Sequence, residues 1–273
     1  MVITDLDGTL LKRDRTISET DLETLNSLKE KRIIRVAATG RNIKKIEEVI
    51  KNISLFDYFI FSSGAGIMNC NSREIEYVQN MPKNTANKLI QFFIKIKVAF
   101  FLFHAVPQNH LFWCFMKGKR NPEYDIYYER NRERMEKLPD TNMINTEACQ
   151  FLVILKTPDE FFKLKENIEK NFDDLKIIRA SSPYETGYTW MEIFNKKVSK
   201  GNAVKYLCDY LDIDPLNTLG IGNDYNDIDF LNFTSHSYMT KNCPDELKGK
   251  YKSAPTNDEN AFSFCVSNYK KFK

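Results

Sequence analysis

Apolar runs of strand length alternate with helical patterns over the first 80 residues of this chain, and that alternation limits the possible folds more than any other feature. Val2, Ile3 and Thr4 open with a short strand pattern. Residues 19–31 place leucines at 22, 25 and 28, on one face of a helix, and Ser18 stands where an N-cap belongs. Residues 33–38 (IIRVAA) form a near-continuous apolar run, as in a parallel sheet covered on both faces. A helical pattern over 42–53 and a strand pattern over 56–63 follow. Such alternation predicts βαβ units and a parallel sheet. It returns at Lys200, with a helix over 200–211 and an apolar strand over 217–222. The shorter segments 226–233, 235–240, 244–251 and 260–272 complete it.

The middle of the chain reads differently. A helix is expected over 84–97, then two aromatic strands over 98–106 and 111–116 joined by a turn at 107–110. The charged stretch 120–142 fits no pattern. A strand over 150–156, a helix over 158–172 and strands over 175–180 and 187–194 complete a mixed block. The expected architecture is α/β: a Rossmann-like parallel sheet built from residues 1–81 and 195–273, with 82–194 inserted as an α+β module.

Composition supports a folded chain. Of 273 residues, 42% are hydrophobic and 13% aromatic, enough for a sizeable core. The net charge of +3 is spread among both signs, as on a solvated surface and unlike a nucleic-acid footprint. Six widely spaced cysteines with no CxxC pair argue against a zinc site and a secreted disulfide framework, and predict free or buried thiols. Asp5 and Asp7 interrupt the N-terminus, so a signal peptide is not expected. The aromatic strands fall short of the roughly 18 to 20 apolar residues a membrane helix needs. A cytoplasmic protein without membrane or nucleic-acid partners is the expectation.

The first strand runs into Asp5-Leu6-Asp7-Gly8-Thr9. On a strand, residues i and i+2 face one side, and in an open parallel sheet ligands bind beyond the carboxyl ends of the strands. Two carboxylates close together stay ionised only if a cation compensates; otherwise one is pushed toward its protonated form. A hard cation such as Mg²⁺ suits such oxygens, and a protonated Asp can serve as a general acid. Gly8 permits a tight turn, and Thr9 can hydrogen-bond within it.

"DLDGTLL" resembles the first motif of the haloacid dehalogenase-like phosphatases, and three later segments resemble the others in order. "VAATGR" places Thr39 and Gly40 at a strand end, where a hydroxyl and backbone N–H groups would bind phosphoryl oxygens. "VSKG" places Lys200 at a helix start, against the helix dipole, which favours an anionic partner; it resembles the Cof-type branch. "GNDYND" resembles that branch's Gly-Asp-x-x-Asn-Asp, but Asn223 stands where an acidic Mg²⁺ ligand is usual. An amide oxygen can still ligate a hard cation with one negative charge fewer, and Asp224 is a candidate to compensate. The usual Asn of a third-strand "NGA" is replaced by Ser63.

The resemblance implies a Mg²⁺-dependent phosphatase acting on small phosphorylated metabolites, sugar phosphates foremost. Asp5 is the expected nucleophile, forming an aspartyl-phosphate, and Asp7 the general acid and base. Thr39, Gly40, Lys200 and Asn226 would hold the phosphoryl group. Asp5, Asp7 (through its carbonyl), Asn223 and Asp227 form the expected metal set. The inserted module corresponds to that branch's larger cap, which shapes substrate choice; His104, Trp113 and Arg179 are its candidate contacts, whereas His236 reads as structural. The alternatives are a phosphomutase of a related branch and a fold-retaining binding protein with weak or no activity. A monomer or weak homo-oligomer is expected.

Overall fold

The computed structural model describes residues 1–184 and 186–269, so the end of the expected segment 260–272 lies outside the described residues. The chain divides into two compact units. Residues 1–78 and the chain from Ser199 on form the first, and Gln79–Val198 form the second.

In chain order the first unit contributes β1 (Val2–Thr4), α1 (Glu19–Glu30), β2 (Arg35–Ala38), α2 (Ile43–Val49), β3 (Tyr58–Phe61), β4 (Gly66–Asn69) and β5 (Ile75–Val78). The second comprises α3 (Lys83–Lys95), β6 (Phe100–His104), β7 (Phe112–Phe115), α4 (Pro122–Arg130), β8 (Met135–Lys137), β9 (Ala148–Leu155), α5 (Pro158–Glu169), β10 (Leu175–Ser181) and β11 (Thr189–Asn195). The chain then returns to the first unit with α6 (Lys200–Tyr210), β12 (Leu219–Gly222), α7 (Ile228–Phe233), β13 (His236–Thr240), β14 (Lys252–Ala254) and α8 (Ala261–Ser267).

The first unit holds an eight-stranded sheet in the order β14-β13-β12-β1-β2-β3-β4-β5. From β14 to β3 all neighbours run parallel, and β4 and β5 add an antiparallel edge. The short β1 therefore lies between strands on both sides, paired Ile3 to Gly220 and Ile3 to Val36. Ile3, Val36, Ala38 and Ile60 pack with Ala203, Val204 and Leu207 of α6 and with Phe230 and Leu231 of α7. Removing apolar groups of this kind from water is worth about 1.5–3 kcal/mol per large side chain. α1 starts at the expected cap, where the Ser18 hydroxyl accepts the Asp21 N–H.

The second unit is built on a six-stranded sheet, β10-β11-β9-β6-β7-β8. The two aromatic strands pair antiparallel, Phe100 to Phe115 and Phe103 to Phe112. The core joins Phe93 of α3, Phe100, Phe151 and Phe161 with Met191 and Ile193. The unassigned charged stretch forms α4 and β8. Its start was marked by Asn121-Pro122: the Asn121 side chain caps the Glu123 N–H and Pro122 occupies the first turn. All six cysteines are free, and five are buried. Among the described residues no helix is long and apolar enough to cross a membrane.

One turn ties β3 to the return of the chain. Ser62, Ser63 and Gly64 all have positive φ, +48°, +55° and +100°. A Cβ at Gly64 would lie 2.3 Å from the Ser199 carbonyl oxygen, directly before α6. Gly64→Ala is therefore expected to lower stability in urea unfolding by about 2 kcal/mol or more; an unchanged midpoint would show that the turn adjusts freely.

Candidate active site

β1 stops at Thr4, so strand alternation does not carry through to Asp7. Asp5 follows the strand with its N–H on the Ile221 carbonyl of β12, and its side chain is buried. The chain turns at Gly8, φ +77°, and the Asp7 side chain is half exposed. Arg41, directly after Thr39 and Gly40, holds the Asp7 carboxylate with two hydrogen bonds of 2.6 Å, one from Nε and one from Nη2. The two acids thus meet different partners. Arg41 stands within the second motif, but nothing along the chain assigned it a partner.

The centre of the site is a buried ion triad. Lys200 is the first residue of α6, whose cap is the Ser199 hydroxyl accepting the Asn202 N–H. Its Nζ donates to Asp5 Oδ1 at 2.7 Å and to Asp227 Oδ1 at 2.6 Å, with no exposed side-chain surface. Burial alone would discharge the ammonium, but the Asp227 and Asp5 carboxylates outweigh it and hold Lys200 above its usual range. For Asp5, burial is the strongest influence; it pushes the carboxyl up to about 8 against the pull of Lys200, and Asp227 and Asp7 add to the rise. Asp227 turns its other oxygen to the loop after β12, accepting the Asn223 N–H at 2.7 Å and the Asp224 N–H at 3.0 Å. Both of its oxygens take part in these bonds, so Asp227 links Lys200 to this loop.

Glycines set the approach of these elements. A Cβ at Gly222 would lie 2.7 Å from Asp227 Cβ, and one at Gly201 would lie 2.7 Å from the Asp229 backbone. Thr39 is buried at the end of β2, next to β1, and its hydroxyl accepts the Arg41 N–H at 3.1 Å. A Cβ at Gly40 would stand 3.8 Å from Asn226 Nδ2 and 3.6 Å from Ser63 Oγ, which brings these three expected positions together.

Asn223 follows β12 and faces the first motif. One terminal atom of its side-chain amide lies 2.9 Å from the Asp7 carbonyl oxygen, 3.2 Å from Asp5 Oδ2 and 3.0 Å from Thr9 Oγ1. Thr9, expected to bond within its own turn, thus reaches Asn223. Among the described residues no three His, Cys, Asp or Glu side chains converge as a metal site. The set that does converge is one carboxylate, one main-chain carbonyl and one amide, all able to offer hard oxygens. That donor set fits a small divalent cation.

The candidates in the second unit lie apart from one another in role. His104 stacks on Trp113 at 3.7 Å between ring centres, with Nε2 3.3 Å from a Glu136 oxygen, and burial lowers its pKa. Arg179 sits on β10 opposite Met191. In the first unit, His236 meets the Tyr269 ring and the Ser235 hydroxyl.

Residues 2–263 match the family of haloacid dehalogenase-like hydrolases. The chain belongs to that family. A Streptococcus pyogenes serotype M6 protein is 27% identical over 265 residues, spanning 94% of each chain. The HMP-PP phosphatase of Serratia proteamaculans is 21% identical over 252 residues, 89% of this chain and 84% of that protein. Among solved structures, a haloacid dehalogenase subclass IIB sugar phosphatase superposes with a TM-score of 0.76 at 17% identity, covering 97% of both chains. A phosphatase from Bacteroides thetaiotaomicron gives 0.79 at 16% identity, covering 97% of this chain and 93% of its own. These similarities bear out the α/β core with an inserted α+β module.

Lys200→Met leaves Asp5 and Asp227 buried without their cation. The expected loss is about 3–5 kcal/mol by urea unfolding. The deficit should deepen as pH rises from the ordinary carboxylate range. Carboxyls whose pKa is raised by folding bind protons that the unfolded chain has already released, and that contribution disappears as the pH climbs through their folded values. A loss independent of pH would mean that Asp5 does not titrate upward.

Proposed function

We propose that this hydrolase is a Mg²⁺-dependent phosphatase of small phosphorylated metabolites, sugar phosphates foremost, working through an aspartyl-phosphate on Asp5. The observation that carries the reading is the buried Asp5–Lys200–Asp227 triad at the end of the central strand. It fixes one carboxylate in direction while the neighbouring Asp7 stands separately on Arg41. The sugar phosphatase and the HMP-PP phosphatase of like fold and sequence support the substrate class.

Phosphoryl transfer requires positioning and charge neutralisation above all. An Asp5 oxygen attacks phosphorus, the bond to the leaving oxygen breaks, and Asp7 gives that oxygen a proton. Water then attacks the aspartyl-phosphate, its proton returns to Asp7, and inorganic phosphate leaves with Asp5 restored. Thr39 and Lys200 bind phosphoryl oxygens, aided by the Gly40 N–H and Asn226. The Asp5 carboxylate, the Asp7 carbonyl and the Asn223 amide oxygen would hold Mg²⁺, which supplies screening between the carboxylate and the phosphate. We assign substrate selection to the inserted unit, by resemblance to the family's larger cap.

Asp5→Asn should lower turnover by roughly a thousandfold or more. Asp7→Asn should cost about a hundredfold or more with an alkyl phosphate, and far less with p-nitrophenyl phosphate, whose phenolate leaves without a proton. A panel of sugar phosphates and nucleotides with and without Mg²⁺ tests the whole reading. Interconversion of hexose phosphate isomers without phosphate release would point to a mutase. Absence of EDTA-sensitive turnover on every substrate would end the phosphatase reading.

A further inference from the structure

Asn223 departs from the family pattern, and its surroundings give the departure a use. The amide atom between Asp5 Oδ2, the Asp7 carbonyl and Thr9 Oγ1 faces two groups that mainly accept. A carbonyl oxygen never donates, so an amide oxygen 2.9 Å from Asp7 O would set lone pair against lone pair. Turned over, the amide would place its NH₂ there, 2.9, 3.2 and 3.0 Å from the three oxygens, with two hydrogens to share among them. The rest of the amide lies against Gly8, where a Cβ would come within 2.5 Å of it. Gly8 thus leaves room for the amide to lie flat between the two motifs.

We propose that the Asn223 amide is a built-in substitute for the cation: its NH₂ joins Asp5 Oδ2 to the Asp7 carbonyl when no metal does so, and it turns over to present Oδ1 when Mg²⁺ binds. The inference rests on the Mg²⁺ assignment proposed above. The charge balance explains why Asn is suited to this. Asp5, Asp227 and Lys200 together carry one net negative charge when ionised, and Asp7 is matched by Arg41. An Asp at position 223 would bring a second net negative charge, partly buried, beside Asp5 and a carboxylate facing a carbonyl, with no hydrogen to offer either. Such a site needs its metal to be stable. With Asn the site is complete on its own hydrogen bonds, and Mg²⁺ must displace them, so binding is weaker and reversible.

The test compares the full-length protein with Asn223→Asp, each stripped with EDTA and titrated with Mg²⁺ alone. In the stripped variant the melting temperature should fall below that of the stripped parent by about 4 °C or more. Isothermal titration should show the variant binding Mg²⁺ at least about tenfold more tightly than the parent. Should the stripped variant fail to fold, the parent decides alone. Its Asn223 side-chain NH₂ resonances, assigned by their loss in the variant prepared with Mg²⁺, should exchange slowly in EDTA and shift with faster exchange on saturation. Rapid exchange of that NH₂ in EDTA overturns the inference, as does equal Mg²⁺ affinity or a stripped variant as stable as the parent. No readout uses turnover. A protein that passes these tests and hydrolyses no phosphate ester refutes the phosphatase reading alone. Active protein with a rapidly exchanging NH₂ refutes this inference alone.

Discussion

A buried ammonium held by two buried carboxylates organises the first unit of this protein. Lys200 has no exposed side-chain surface, and its position at the start of a helix sets it against the helix dipole. Removing such a charge from water costs several kcal/mol unless geometry and hydrogen bonds compensate. Here both compensating oxygens lie within 2.7 Å. The consequence is positional. The end of β1, the start of α6 and the loop after β12, distant along the chain, must meet at one point for any of the three charges to be tolerated. Asp227 extends the constraint by accepting two N–H groups of its own loop, so that Asn223 and Asp224 are fixed along with Lys200.

The triad also explains where small residues stand. Gly201, Gly222 and Gly64 each lie where an added Cβ would fall within 3 Å of a neighbouring element. Three elements can bring their charged ends together only if their backbones approach closely, and side chains at these points would hold them apart. Gly8 has the same function on the first motif, and there the neighbour is the Asn223 amide. A sheet of parallel strands with loops at their carboxyl ends supplies the frame; the glycines and the ion triad draw the charged ends together within it.

Much of this was legible along the chain. Alternating strand and helix patterns at both ends, interrupted by an aromatic, hairpin-rich middle, reflect burial on two faces of a parallel sheet and one-sided packing elsewhere. That is a property of local hydrophobic period, and the family match and the solved relatives agree with it. The charged stretch 120–142 was not legible, because α4 carries tyrosines and charges with little apolar periodicity; only its Asn-Pro start gave a local signal. Four segments marked the candidate site, because together and in order they resemble the motifs of one family. The partner of Asp7 was not legible, because a three-residue strand ends before its period can place that side chain.

The sequence by itself determined the order of strands and helices, the interruption in the middle, and which carboxylates, lysine and hydroxyl were available for chemistry, because each depends on neighbours within a few residues. The tertiary structure decided what each of those groups faces. It assigned Asp5 and Asp227 to Lys200, Asp7 to Arg41, and the Asn223 amide to Asp5, Asp7 and Thr9. Those pairings arise from elements up to some two hundred residues apart closing against one another, and electrostatics at hydrogen-bond distance depends on that closure alone.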